Sequence, residues 1–219
     1  MQNNKINFFN TDCISFMKTK IYKFYNLAIV DPPYGIKSDK LQDNRADYKK
    51  WGYKKYKESN WDTKIPSKEY WDELFRVSIN QIVFGGNYMT KFLPPSMGWI
   101  VWNKMQSEKN FLADGEMAWT SFDKAMRIFN MNRGQSESNN KKYGGRFHPT
   151  QKPVKLYRWI LQKYAKQNDR ILDTHGGSMS SAIACDIENF NIDICEIDKY
   201  YFEKGIKRYD DYKSQIKLF

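Results

Sequence analysis

Arg170-Ile171-Leu172-Asp173-Thr174-His175-Gly176-Gly177-Ser178, followed further on by Ile192-Asp193-Ile194-Cys195, is the stretch from which the fold is read. A short apolar run ends in a carboxylate and a glycine turn, Ser178 to Glu188 has helical character, and residues 192–195 form the next apolar run. Strand, turn, helix and strand in that order predict a parallel βαβ unit. A strand-end carboxylate followed by Gly-Gly lets a ligand approach the backbone, although such a turn alone means only a tight connection. Glu196 ends the second strand, where an acid in a nucleoside-binding unit accepts from ribose hydroxyls. Met179 stands where a dinucleotide fingerprint has its third glycine, which favours a mononucleoside.

A second strand end carries more chemistry. Leu27-Ala28-Ile29-Val30 runs into Asp31-Pro32-Pro33-Tyr34-Gly35. Consecutive prolines lack N–H groups and fix φ, so the turn is stiff and its carbonyls stay free to accept hydrogen bonds. A buried strand thus delivers a carboxylate and an aromatic ring to one point, an arrangement suited to gripping an amino group. By itself, Asp-Pro-Pro is equally the plain case of a strand running into a proline turn.

Outward from these two turns, strands are expected at 6–9, 81–84, 99–102, 116–120 and 125–131, with helices after Ser67 and Pro153. The face Tyr70, Trp71, Leu74, Phe75 and Ser78 marks the first helix, and Tyr157, Ile160, Leu161 and Tyr164 the second. The expected class is α/β, a Rossmann-like and mostly parallel sheet with helices on both faces, in one domain over 1–219. Two basic loops interrupt it. Residues 36–60 hold eight Lys/Arg against four acids, interleaved with Tyr48, Trp51, Tyr53 and Tyr56, and read as a lid, a nucleic-acid contact or plain disorder. Residues 132–146 read as a second loop, with Arg133, Lys141, Lys142 and Arg146 against Glu137.

The chain of 219 residues carries 36 Lys+Arg against 25 Asp+Glu, a formal net charge of +11, which attracts polyanions and makes nucleic acid the natural partner. A Lys-rich surface without such a partner has the same balance. The three cysteines, Cys13, Cys185 and Cys195, are too scattered for a disulfide framework or a zinc site. Two histidines, His148 and His175, are too few for a metal cluster or a Ser/His/Asp triad and read as packing or hydrogen-bonding residues, so no metal is expected. A polar N-terminus and the absence of any run of about 18 apolar residues lead to the expectation of a cytosolic protein without a membrane span. Phe147-His148-Pro149-Thr150-Gln151-Lys152-Pro153 precedes a helix, where Thr150, the first helical N–H groups and Lys152 would face an anion; an ordinary Thr cap with a solvated Lys is the other reading.

Taken together, Asp31 to Tyr34, His148 to Pro153 and Asp173 to Ser178 resemble the amino-group DNA methyltransferases that use S-adenosylmethionine. Their order resembles the permuted beta group, with D-P-P-Y first and the glycine turn near the C-terminus. Thr11-Asp12-Cys13, Phe84-Gly85-Gly86-Asn87-Tyr88 and Glu196-Ile197-Asp198 followed by Tyr200 and Tyr201 resemble it too. The chain departs from that group at Thr174-His175, where the group has Pro-Phe, and at Met179, where it has glycine.

The resemblance implies site-specific transfer of a methyl group from S-adenosylmethionine to the N6 amino group of adenine in double-stranded DNA, directly and on a flipped base. Asp31 and the Pro32 carbonyl would accept the amine hydrogens, Pro33 would stiffen the turn, and Tyr34 would stack on the base. Asp173, Gly176 and Gly177 would hold the methionine and ribose part of the cofactor, Glu196 the ribose hydroxyls, Thr150 and Lys152 the methionine carboxylate, and Asp12 with Cys13 the adenine end. Asp31, Gln151, His175 and Ser178 complete that set. Lys49, Lys50, Trp51, Lys54, Lys55, Arg133, Lys141 and Lys142 are the expected DNA contacts. Cytosine N4, RNA or a protein amide as target, and a catalytically impaired DNA-binding relative, remain open alternatives, as do a homodimer and a cognate restriction endonuclease.

Overall fold

The computed structural model describes residues 4–36, 61–106 and 113–216. Its core is one eight-stranded sheet, in the spatial order β1 (Ile6–Phe9), β8 (Asn191–Cys195), β7 (Arg170–Asp173), β2 (Tyr25–Val30), β3 (Ser78–Phe84), β5 (Gly115–Thr120), β4 (Trp99–Asn103) and β6 (Arg127–Asn130). β5 pairs antiparallel with both β3 and β4, and every other pairing is parallel. The α/β, mostly parallel expectation therefore holds, with the reversal of β5 as an addition; no residue pattern marks a strand's direction.

The unbroken apolar run of β2 is explained by burial on both faces. Leu27 and Ile29 face a layer formed by α4 (Val154–Tyr164) and α5 (Ser180–Ile187), through Leu156, Ile160 and Ile183. Ala28 and Val30, pointing the other way, meet Met17 of α1 (Cys13–Lys18) and Tyr70, Trp71 and Leu74 of α2 (Lys68–Val77). Each such fully buried aliphatic side chain contributes about 1.5–3 kcal/mol. Ser67 caps α2, as its sequence position predicts. The C-terminal helix α6 (Lys199–Ile216) adds Tyr212 to the first layer.

Residues 132–146 are not the loop expected from their polarity. Arg133–Lys142 is a helix, α3, held by a reciprocal capping box between Asn132 and Gln135. Ser136 and Asn140 are its buried residues, so it has no apolar stripe for sequence periodicity to detect. Arg133, Lys141 and Lys142 are exposed on it. Helix α5 likewise starts later than expected, at Ser180, because Met179 is left-handed with φ 56°. That conformation accounts for glycine at this position in the resembled group. The Met179 side chain is fully buried and lies where a Cβ on Gly205 would come within 2.5 Å, so a glycine in α6 makes room for the methionine in the turn.

Topology brings the two decisive turns together. β7 connects through α5 to β8 on one side, and β2 connects through α2 to β3 on the other, while β7 and β2 are direct neighbours. Such a switch point opens a crevice beyond the carboxyl ends of the strands. With Ala28 paired to Leu172, the turns after Val30 and after Asp173 emerge side by side.

Candidate functional site

A cleft of about 320 Å³ lies at this switch point, within the range of small-molecule sites. Asp12, Cys13, Asp31, Pro33, Thr150, Gln151, Lys152, His175, Gly176, Gly177, Ser178 and Glu196 all border it, together with Tyr157, Asp198 and Tyr201. Residues expected from three separate sequence segments thus meet around one cavity. Lys49, Lys50, Trp51, Lys54 and Lys55, with the rest of the 36–60 expectation beyond Ile36, lie outside the described residues.

At one end stands Asp31. Its Oδ1 accepts from the Tyr34 hydroxyl at 2.7 Å and its Oδ2 from the Lys152 ammonium at 2.5 Å. Asp62, nearly fully buried, holds the turn from behind by accepting the N–H groups of Tyr34 and Gly35 at 2.7 and 2.8 Å. The Tyr34 ring stacks on Tyr88 with centroids 5.2 Å apart and planes 17° apart. Lys152 also lies 3.5 Å from Glu116 and 4.6 Å from the centre of the Phe84 ring. Glu116 is in turn paired with Lys104 at 2.7 Å.

The charges at this end follow from burial and pairing. Burial raises the Asp31 carboxyl above its ordinary range, and Lys152 and the Tyr34 hydroxyl pull it back without cancelling the effect. Burial works against the Lys152 ammonium, yet Asp31 and Glu116 together keep it firmly protonated. Burial opposes ionisation of Glu116 as well, but Lys152 and Lys104 hold it down at about 2.

The other end is built on the glycine turn. Glu196 accepts from the Gly177 N–H at 2.7 Å and from the Asp198 N–H at 2.8 Å, which fixes its carboxylate at the rim. Asp12 caps α1 by accepting from the Ser15 N–H. Burial carries the Cys13 thiol up to about 12, so it borders the cleft as a neutral group. His148 and His175 are lowered to about 3 and about 4 by burial, with Lys152 and Arg146 adding to the effect at His148; both are neutral at physiological pH.

Three expected roles need correction. Asp173 does not border the cleft: it is buried beneath the turn, accepting from the His175 N–H at 3.0 Å and the Ser181 hydroxyl at 2.6 Å, so it shapes the turn from below. Lys152 is not a free anion receptor, because its ammonium is engaged by Asp31 and Glu116. Thr150 does not cap α4; Pro153 occupies the cap position and Thr150 bonds His148 at 3.2 Å. Gln151 spends its amide on Asn140 and the Gly145 carbonyl, bracing the loop against α3.

Asp62 and Glu116 were not found from sequence. Each is one acid among many, without a motif, and becomes legible only once the sheet places it beside Tyr34 or Lys152.

Residues 100–207 match the model of the DNA methylase family. No curated protein matches the sequence. Among solved structures, the chain is similar to M1.HpyAVI in complex with SAM, at 18% identity and a TM-score of 0.56 over 93% of this chain and 99% of that one. It is similar to the cytosine-N4-specific PvuII DNA methyltransferase, at 12% identity and a TM-score of 0.61 over 94% and 87% of the two chains. It is also similar to TTHA0409, a DNA modification methylase of Thermus thermophilus complexed with S-adenosyl-L-methionine, at 13% identity and a TM-score of 0.58 over 95% of each. At these identities the structural likenesses establish the fold, and the sequence match to residues 100–207 adds the lineage: the chain is a member of the DNA methylase family.

Proposed function

We propose that the protein transfers a methyl group from S-adenosylmethionine to the N6 amino group of adenine in double-stranded DNA. The observation that carries this reading is that the Asp31 carboxylate and the Gly176-Gly177 turn border the same cleft. The donor set fits the cofactor. Four carboxylates, Asp12, Asp31, Glu196 and Asp198, border the cavity, which suits a ligand bearing a cationic sulfur and an ammonium. Nothing closer than 3.5 Å would meet a Cβ on Gly177, so the turn leaves its backbone open to close approach.

Glu196 and the Gly176-Gly177 backbone would hold the ribose side, and Asp12 with Cys13 the adenine end. When bound, the cofactor supplies an electrophilic methyl group on a sulfur that departs with the C–S electron pair as the amine lone pair forms the new N–C bond. Asp31 accepts a hydrogen of the amine, turns its lone pair toward the methyl carbon, and takes the proton that the alkylated nitrogen must lose. Tyr34 presents a ring for a base out of the stack, which offsets part of the few kcal/mol lost on unpairing. Adenine leads over cytosine because the chain carries Asp-Pro-Pro-Tyr, whereas Ser-Pro-Pro-Tyr is the more usual form of the cytosine-N4 enzymes it resembles. Exposed Arg133, Lys141 and Lys142 on α3 supply phosphate contacts.

Digesting DNA from cells that express the protein to nucleosides, with mass analysis, tests the reading. N6-methyladenine is expected; N4-methylcytosine as the sole product, or no methylated base, overturns it.

A further inference from the structure

If Asp31 is to receive a target amine, one of its oxygens has to be vacated. Oδ1 carries the Tyr34 hydroxyl, which belongs to the same turn, and Oδ2 carries the Lys152 ammonium from a distant segment. The ammonium is the mobile partner of the two, yet Lys152 is 3% exposed and a buried cation stripped of its carboxylate is strongly disfavoured. A second carboxylate stands ready: Glu116 Oε2 lies 3.5 Å from the same nitrogen, just beyond hydrogen-bond range. Lys104 grips Glu116 by its other oxygen, Oε1, which leaves Oε2 directed at Lys152. The Phe84 ring lies alongside the ammonium and favours a cation there.

We propose that Glu116 is a positioning residue that provides a second seat for the Lys152 ammonium, receiving it when the target amine takes Asp31 Oδ2. Lys152 then acts as a latch with two settings. On Asp31 it neutralises the carboxylate while no base is present, and on Glu116 it leaves Asp31 free for the amine. The four groups Asp31, Lys152, Glu116 and Lys104 sum to zero formal charge in either setting, so the exchange moves an ion pair without creating a net charge in the interior. The inference rests on the methyltransferase reading for its purpose, while the seat itself is testable apart from catalysis.

The direct test is the crystal structure of the free Asp31→Ala variant, in which the first seat is gone. The Lys152 ammonium is expected within hydrogen-bond distance of Glu116 Oε2; an ammonium left at its present distance or turned to solvent overturns the proposal. In the same background, Glu116→Gln is expected to lower the melting temperature by clearly more than it does in the parent protein, because it then removes the last partner of a buried cation; equal losses overturn it. With Asp31 intact, Glu116→Gln is expected to lower kcat for duplex methylation by about 100-fold, with Glu116→Asp recovering part of the loss and affinity for S-adenosylhomocysteine unchanged. An unaltered kcat in Glu116→Gln, measured beside an active parent, overturns the latch. A parent that methylates no DNA counts against the proposed function instead, and the structure and melting measurements then decide the seat alone.

Discussion

Gly85 lies directly beneath the ring of Tyr34: a Cβ at Gly85 would fall 2.2 Å from Cε1 of that ring, and the Gly85 backbone is left-handed at φ +66°. The glycine turn after β3 is therefore the seat of the aromatic residue that follows β2, two neighbouring strands joined at their carboxyl ends. Gly85→Ala forces the ring off its seat and incurs about 1–2 kcal/mol of left-handed strain. The expected result is a fall of about 100-fold in duplex methylation with cofactor affinity retained, read from initial rates and calorimetry. Unchanged rates would remove Tyr34 placement from the mechanism.

Tyr34 combines a hydroxyl that donates to Asp31 with a ring stacked on Tyr88, and two substitutions separate these roles. Tyr34→Phe removes only a hydrogen bond to a carboxylate, worth about 1.5–3 kcal/mol, and should slow duplex and unpaired targets by the same factor. Tyr34→Ala also removes the stacking surface and should harm the duplex more than a target opposite a gap. Equal losses on both substrates for Tyr34→Ala would contradict the stacking role.

At the rim of the cleft, Glu196 is pinned by the Gly177 and Asp198 N–H groups, so its carboxylate is already oriented. Glu196→Ala should weaken S-adenosylhomocysteine binding by about 1–3 kcal/mol, from the lost acceptor and the loosened turn. Titration calorimetry reads this directly, and parental affinity in the variant would exclude the ribose role.

Asp173 gives a pH signature. Burial raises its carboxyl from 3.8 to about 7, opposed by the bonds from Ser181 and His175. Between these values the unfolded chain loses the proton while the folded protein keeps it, so this group's contribution to stability falls as pH rises through the window and levels off above 7. At 1.36 kcal/mol per pH unit, the interval from 3.8 to about 7 caps the effect at roughly 4 kcal/mol. Urea unfolding at pH 4.5 and 7.5 should show a smaller drop in Asp173→Asn than in the parent, and identical drops would assign the window to other groups.

The two strand-end turns were legible in the sequence because each breaks an apolar run with residues that have one main structural use: paired prolines after Val30 and paired glycines after His175. Their meeting was not, since β2 and β7 are neighbours across a separation of well over a hundred residues and only the strand order shows it. The Lys152–Asp31 pair, 121 residues apart, was hidden for the same reason, and reading Lys152 locally assigned it to the wrong anion. Helix α3 escaped because its stability comes from its caps and from buried Ser136 and Asn140, which leave no hydrophobic period. Met179 is the converse case: its departure from the resembled group was visible, but the compensation at Gly205, on another helix, was not.

The central claim is that Asp31 acts on the target amine and not on cofactor retention. Asp31→Asn keeps the shape and a donor-acceptor pair for Tyr34 and Lys152 while removing the charge that accepts the amine. The decisive measurement is single-turnover methyl transfer from labelled S-adenosylmethionine to duplex DNA, with calorimetric binding of S-adenosylhomocysteine on the same preparation. The account predicts a rate lower by about a thousandfold beside nearly parental binding. Parental transfer in the variant, or transfer and binding lost in equal measure, would contradict it.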